Sequence, residues 1–220
     1  MSQSVNLLES VPKIARDIKA RTINKEVNRQ LASKFDFEYF DGTREQGYGG
    51  DKYDGRWIPV SKRIIQHFGL KPGDRVLDIG CAKGFLAHDL RLVMPGLEVI
   101  GLDISVYALR RCHPGTEGRL ILGTCEQLPF PDGSFRAALA INTIHNLGRD
   151  GCLRALQEIE RVAPRRGFVQ IDAYRTPEEH EVFMDWMLTA QTALMPDEWI
   201  ALFEEAGYRG DYYWTILQVD

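Results

Sequence analysis

The sequence has no long apolar run, no excess of basic residues and no cluster of cysteines. No apolar run approaches the roughly 20 residues that a membrane-spanning helix needs, and the amino-terminal stretch has no apolar signal core. The net charge is −4 and no basic block stands out, so a nucleic acid backbone would be only weakly attracted. These absences predict a cytoplasmic protein that has neither a membrane nor a nucleic acid as its partner.

The four cysteines also exclude two kinds of site. Cys81, Cys112, Cys125 and Cys152 form neither the CxxC pairs of a zinc site nor a dense disulfide framework. We therefore expect reduced thiols and no structural metal. The composition, 44% hydrophobic and 26% charged, is that of an ordinary globular protein, and 220 residues suit one domain with a sizeable core.

From residue 74 onward, short apolar runs alternate with amphipathic stretches. This pattern is typical of an α/β fold in which helices cover both faces of a mostly parallel sheet. Strands are predicted at residues 75–79, 98–102, 120–123, 137–142 and 168–173. A final strand pair over residues 208–219 brings the predicted sheet to seven strands. Helices are predicted at residues 84–93, 106–111, 152–162 and 178–206, and Pro196 should split the last of them.

The first 70 residues contain too few apolar positions for an independent core. We therefore predict an N-terminal helical cap and lid segment over residues 1–70, joined to a core over residues 71–220 in one structural domain. Within the cap, residues 10–40 and 61–68 are predicted helical. The segment between them is rich in glycine and tyrosine, so it can bend and present large amphipathic side chains.

The segment RVLDIGCAKGFLAHDL places a glycine turn between a predicted strand and a helix. Gly80 and Gly84 permit positive φ and the close approach of a ligand, which in parallel sheets binds beyond the carboxyl ends of the strands. The carboxylate of Asp78 would attract the cationic amino group of S-adenosylmethionine (SAM) and repel a pyrophosphate. Ala82 also replaces the second glycine of the dinucleotide fingerprint. SAM is therefore the better candidate.

Two further segments follow at the ends of the next strands. In VIGLDIS, Asp103 can accept two hydrogen bonds from a ribose diol, and in GTCEQLPFPDGSF two prolines and an Asp-Gly turn shape a loop that could line adenine. In order and spacing, VLDIGCAKG, GLDIS and GTCEQLPFPDGSF resemble the class I SAM-dependent methyltransferases of the large bacterial small-molecule group (methyltransferase type 11-like). The resemblance covers roughly residues 60 to 167.

The resemblance implies a Rossmann-like class I methyltransferase fold and a set of SAM contacts. The implied contacts are Asp78, Gly80, Cys81 and Gly84 around the methionine end, Asp103 on the ribose, Ile104 against adenine, and Asn142 on the methionine backbone. Where the family usually reads GDAE, this chain has Thr124, Cys125 and Glu126, so the aspartate that holds the adenine amine is missing. The Thr124 hydroxyl and the Cys125 amide remain available, and we expect adenine binding to survive.

Methyl transfer from a sulfonium needs alignment of acceptor and methyl more than it needs a base. His145 is the candidate catalytic base, and the alternative is a histidine that bonds within its loop and shapes the pocket. Asp172 and Tyr174 end the fifth predicted strand and either face the acceptor or have a structural role. The segment before the sheet often folds over the cofactor in related methyltransferases. That comparison implies a lid in which Tyr53 or Arg56 meets the SAM carboxylate and Trp57 packs beneath.

The expected activity is therefore SAM-dependent methyl transfer to oxygen, nitrogen or carbon of a small-molecule substrate. Three alternatives stay open: a methyltransferase that acts on a protein, a protein of the same fold that binds SAM without transferring methyl, and a dinucleotide oxidoreductase. The sequence marks no interface patch, and so it indicates no oligomeric state.

Overall fold

The computed structural model describes residues 2–12 and 17–217. Its centre is a six-stranded sheet in the order β3-β2-β1-β4-β5-β6, and every neighbouring pair of strands is parallel. The strands are β1 (Arg75–Ile79), β2 (Glu98–Asp103), β3 (Leu120–Leu122), β4 (Ala137–Ile141), β5 (Gly167–Ala173) and β6 (Asp211–Ile216). The strand order changes direction between β1 and β4, so the carboxyl ends of these two strands flank a crevice.

Helices cover both faces of this sheet. They are α1 (Ile18–Thr22), α2 (Lys25–Ala32), α3 (Phe37–Phe40), α4 (Trp57–Phe68), α5 (Phe85–Val93), α6 (Val106–Arg110), α7 (Arg149–Val162), α8 (Pro177–Trp186) and α9 (Pro196–Ala206). Alternate residues of the strands enter two apolar clusters, one shared with α7 and α9 and the other with α4 and α5. Within the described residues, no helix has the length and apolar character needed to cross a bilayer.

The predicted seventh strand is wrong. The first five strands, β1 to β5, lie within one residue of their predicted bounds, but residues 208–217 supply one further strand and not a pair. Gly207 ends α9 with φ 68°, and the buried Tyr208 donates its hydroxyl to the Asp211 carbonyl, so residues 208–210 connect α9 to β6 without a strand. β6 then runs parallel to β5. Residues 218–220, where that prediction ended, lie outside the described residues.

The N-terminal stretch that the sequence predicts as helical forms three short helices. Asn24 and Phe35 adopt positive φ, 52° and 48°, at the two breaks between them, and residues 13–16 of this stretch lie outside the described part. Ahead of α1, backbone hydrogen bonds tie Gln3 and Val5 to Tyr212 on β6. The division of the chain at residue 70 stays a prediction.

Candidate cofactor site

The turn between β1 and α5 is held against the end of β2. Gly80 has φ 74°, and a Cβ added to it would lie 2.2 Å from Oγ1 of Thr143, so only glycine fits there. The amides of Gly80 and Cys81 donate to the Leu102 carbonyl at 2.7 and 3.2 Å. Gly84 then caps α5 with φ 77°. The predicted glycine cradle is therefore present at the carboxyl edge of the sheet.

Asp103 joins the end of β2 to that turn. One carboxylate oxygen accepts the Ala82 amide and the other accepts the Ser105 amide, each at 2.7 Å. Ala82 has φ 49°, so this alanine occupies the left-handed backbone conformation that is uncommon for residues other than glycine. Burial raises the pKa of Asp103, while these backbone donors oppose the rise. Each oxygen keeps a free lone pair for a ligand.

Asp78, at the end of β1, is buried and incompletely paired. Its Oδ2 has no hydrogen-bond partner among the described residues. Burial, and secondly the nearby charge of Asp103, raises its pKa to about 7. A buried carboxyl oxygen without a partner is costly unless a ligand satisfies it, so this position suits a cationic group.

The remaining predicted cofactor residues differ in how available they are. Ile104 is 60% exposed beside Asp103 and can contact a ring. The Thr124 hydroxyl already accepts the Glu126 amide at 3.2 Å, and Glu126 itself pairs with Arg154. The Cys125 side chain is buried in the core, which leaves only its backbone for a ligand.

A cavity of about 170 Å³ lies between the carboxyl ends of β4 and β5 and the N-terminal helices. It is lined by Arg21, Tyr39, Arg44, Gly47, Tyr48, Asn142, His145, Asn146, Asp172, Trp186, Met187, Leu188 and Thr189. Two predicted substrate-facing residues, His145 and Asp172, therefore share one cavity with Asn142, which was predicted to contact SAM.

His145 is buried at the inner wall of this cavity. Its Nδ1 lies 3.4 Å from the Asp172 amide and accepts that hydrogen, which leaves the proton of the neutral ring on Nε2. Burial lowers the pKa of His145, although Asp172 opposes the shift. The imidazole is thus neutral and offers a donor at Nε2. Action as a base through Nε2 would require the other tautomer, without the bond to Asp172.

The predicted lid residues lie elsewhere and do not line the cavity. Tyr53 donates its hydroxyl to Asp89 at 2.7 Å and packs its ring against α5, and Arg56 pairs with Asp54. Trp57 begins α4 and packs on the apolar cluster shared by α4 and α5. The other predicted substrate residue, Tyr174, packs against His180 and Phe183 on α8.

Lys83, in the glycine turn, instead forms hydrogen bonds to the segment ahead of Tyr53. Nζ of Lys83 donates to both carboxylate oxygens of Asp41, at 2.6 and 2.8 Å, and to the Asp51 carbonyl at 2.8 Å. Tyr107 donates to the same carboxylate at 2.7 Å. Sequence reasoning missed this group, and Arg21, Tyr39 and Arg44 too, because no spacing rule relates residues that meet only when the chain folds back.

No metal site accompanies these groups: within residues 2–12 and 17–217, His, Cys, Asp and Glu form no cluster of three or more that could hold an ion.

Residues 77–171 match the family model described as a methyltransferase domain. That match runs from the middle of β1 through most of β5, and so it contains the glycine turn and both strand-end carboxylates.

Individual relatives agree with this match. A sterol 24-C-methyltransferase of Gibberella zeae is 34% identical over 122 residues, 51% of this chain and 31% of that protein. A demethylmenaquinone methyltransferase of Symbiobacterium thermophilum is 33% identical over 128 residues, 54% of this chain and 50% of that protein. The chain thus spans half or less of the length of these two relatives.

The fold has counterparts among solved structures. The YcgJ protein of Bacillus subtilis superposes with a TM-score of 0.55 at 23% identity, over 66% of each chain. At that identity the likeness concerns the fold alone, a parallel sheet with helices on both faces. The assignment of a cofactor therefore depends on the family match and the residues of the turn.

Proposed function

The chain carries a methyltransferase domain of the class I, SAM-dependent family, and on that basis we propose that it transfers a methyl group from SAM to a small-molecule acceptor. One observation carries the proposal: the carboxylates of Asp78 and Asp103 lie at the ends of neighbouring strands, beside the same glycine turn. The two relatives described above, a sterol 24-C-methyltransferase and a demethylmenaquinone methyltransferase, support an acceptor of small size.

The residues of the turn fit SAM by charge and by hydrogen-bonding capacity. Oδ2 of Asp78 would receive the ammonium group, which needs a buried acceptor. Asp103 would accept the ribose hydroxyls through its free lone pairs while it keeps its bonds to Ala82 and Ser105. Gly80 packs against Thr143, where a Cβ would lie 2.2 Å from Oγ1, and so keeps the turn close to the end of β4.

When bound, SAM supplies a methyl group that is activated by the positive charge on its sulfur. Held by Asp78 and Asp103, it would supply its methyl group to the acceptor's lone pair and leave as S-adenosylhomocysteine. In this protein the cavity positions the acceptor, and the Nε2–H of His145 orients it by donating a hydrogen bond. Any proton lost by the acceptor goes to solvent.

Calorimetric titration with SAM and with its product S-adenosylhomocysteine tests the cofactor site. We expect both to bind, and Asp103→Ala to weaken binding by about 1.5–3 kcal/mol, as for hydrogen bonds to a charged group. Asp103→Asn keeps the shape and should lose less. Asp185→Ala, an exposed acid on α8, is the matched control and should leave affinity unchanged.

Formation of S-adenosylhomocysteine with a panel of small acceptors then tests the transfer itself. Turnover of at least one small molecule, lost in Asp103→Ala, is the expected result. Absence of SAM binding by the wild-type protein would refute the cofactor assignment. SAM binding without turnover of any small acceptor, together with labelling of a polypeptide, would instead favour a protein substrate.

A further inference from the structure

The segment after α3 places one further carboxyl group, that of Asp51, beside the glycine turn. The Asp51 carbonyl accepts a hydrogen bond from Nζ of Lys83 at 2.8 Å. The Asp51 amide donates to the Phe40 carbonyl at 2.8 Å and lies 3.3 Å from Oδ1 of Asp41, to which it also donates. These contacts use only main-chain atoms of Asp51. They fix its backbone against the turn that joins β1 to α5.

The side chain of Asp51 lacks the partners that its burial requires. Its Oδ2 is enclosed and has no hydrogen-bond partner among residues 2–12 and 17–217. Over the same part of the chain no ion pair involves this carboxylate, because the ammonium of Lys83 pairs with Asp41 instead. A buried carboxyl oxygen in this state is costly unless a ligand satisfies it.

The surroundings of Asp51 connect it to the predicted cofactor residues. Burial raises the pKa of Asp51 to about 6, and the charges of Asp41 and Asp103 also raise it, while Lys83 opposes the rise. Asp103 likewise contributes to the raised pKa of Asp78. Since such effects weaken with distance, Asp103 lies near both of the acids that have an unpartnered, enclosed oxygen.

We propose that Asp51 is a further cofactor-binding residue, whose carboxylate stabilises a positive charge of bound SAM beneath the segment after α3. The inference rests on the proposed function. Asp51 lies outside residues 77–171, so the family match assigns it no role. Two groups of SAM carry a positive charge, the ammonium and the sulfonium, and a carboxylate without a partner suits either.

Three nucleosides separate these two charges. SAM carries both, S-adenosylhomocysteine keeps the ammonium and lacks the sulfonium, and 5′-methylthioadenosine has neither but keeps the ribose and adenine. Their Kd values are measured at pH 8, where Asp51, with a pKa of about 6, is ionised. Calorimetry serves for the first two, and saturation-transfer NMR serves for 5′-methylthioadenosine because it detects weak ligands.

Asp51→Asn removes the charge and keeps the shape of the side chain. We expect it to weaken SAM binding about tenfold or more and to leave the Kd of 5′-methylthioadenosine within about twofold of the wild type. An equal loss for S-adenosylhomocysteine assigns the ammonium to Asp51, whereas an unchanged Kd assigns the sulfonium. Asp51→Glu keeps the charge and should retain part of the affinity.

The matched control is Asp36→Asn, which makes the same charge change at the start of α3. Asp36 is exposed, and its Oδ1 accepts the Phe37 amide at 2.8 Å. Asparagine accepts the same kind of hydrogen bond, so the helix should be unaffected. All three Kd values of this variant should lie within about twofold of the wild type.

Unfolding without ligand separates a binding role from a structural one. At pH 8 the native state buries an ionised Asp51 carboxylate whose Oδ2 has no partner within the described residues, and the unfolded state hydrates it. The midpoint of urea unfolding of Asp51→Asn should therefore equal or exceed that of the wild type. A carboxylate that holds the segment in place would give a lower midpoint.

Three results would overturn the inference. These are a SAM affinity that is unchanged in Asp51→Asn, a loss for 5′-methylthioadenosine as large as for SAM, and an unfolding midpoint below that of the wild type. Failure of the proposed function has a different signature, namely a wild-type protein that binds neither SAM nor S-adenosylhomocysteine. The unfolding midpoints then still report whether burial of the Asp51 charge is unfavourable.

Discussion

The charge of a single carboxyl group, that of Asp78, depends on whether a cation lies beside it. Its folded-state pKa is about 7, well above the ordinary value for an aspartate, because the group is buried and close to Asp103. Between the unfolded pKa of about 4 and the folded value, the native state holds a proton that the unfolded state has lost. The free energy of unfolding attributable to Asp78 therefore falls as pH rises from about 4 to 7, and is constant above.

The cationic amino group of SAM reverses this preference. Since a cation beside Asp78 favours its ionised form, SAM binding below about pH 7 should release a proton, and affinity should rise with pH up to about 7 and then level off. Calorimetry in buffers of different ionisation enthalpy measures the proton count. Asp78→Asn should lower the release and weaken SAM binding by about 1.5–3 kcal/mol at pH 8.

The control for this titration is Asp185→Asn, which changes an exposed acid on α8. It should release the same number of protons as the wild type. If Asp78→Asn also releases the wild-type number, the proton comes from another group, and the role assigned to Asp78 in binding the ammonium is wrong.

At the residue level, the sequence was informative where one position carries a local requirement. Gly80 and Gly84 were recognised because a turn beside a ligand needs glycine, and both have positive φ. Ala82 was interpreted only as a departure from the dinucleotide fingerprint, yet its backbone is left-handed as well. Arg44 carries no such local requirement, since it lines a cavity that exists only once the N-terminal helices lie against the sheet edge.

Between elements, the main link from the N-terminal helices to the glycine turn is the buried contact of Lys83 with Asp41. Burial acts to raise the pKa of Asp41, but the hydrogen bonds from Lys83 and Tyr107 outweigh it and the net pKa is lowered. The Ser105 hydroxyl adds a second link by donating to the Phe35 carbonyl at 2.6 Å. The segment after α3 is thereby held over the ends of β1 and β2.

Removal of the lysine should show how much this link stabilises. Lys83→Met leaves the Asp41 carboxylate without its cation, and we expect a loss of about 2–4 kcal/mol in the free energy of unfolding, measured with urea. Adding Asp41→Asn should recover part of the loss because the uncompensated charge is gone. Lys62→Met, on the exposed face of α4, should change stability by less than about 0.5 kcal/mol. Equal effects of Lys83→Met and Lys62→Met would show that the link contributes nothing.

Strands and helices of the core were predictable from pattern, whereas the cap was not. Buried parallel strands produce continuous apolar runs, which is why β1 matches its predicted bounds, and Pro196 does begin α9. That Tyr53 or Arg56 meets the SAM carboxylate stays a prediction; in the structure the Tyr53 ring packs on α5 and its hydroxyl donates to Asp89. The glycine-rich composition of the segment around Tyr53 predicts that it can bend. Composition does not predict which surface of the folded protein the segment packs against.

For the molecule as a whole, the amino-terminal residues are built into the core. Leu7 is 3% exposed within the apolar cluster that α4 and α5 share, and the Val5 amide donates to the Tyr212 carbonyl at 2.9 Å. The chain therefore runs from the edge at β6 to the sheet face that α4 and α5 cover. Such an arrangement couples the first residues to the cooperative unfolding of the sheet.

Truncation of one buried leucine tests that coupling. Leu7→Ala leaves a cavity in a packed cluster, and we expect it to lower the free energy of unfolding by about 2–4 kcal/mol. Tryptophan fluorescence and far-ultraviolet circular dichroism should shift together, because one transition unfolds both the sheet and the N-terminal segment. Leu92→Ala removes the same atoms from a side chain that is 55% exposed on α5, and should cost less than about 0.5 kcal/mol. If the two alanine variants were equally stable, or if the two signals separated in Leu7→Ala, the N-terminal segment would unfold independently of the sheet.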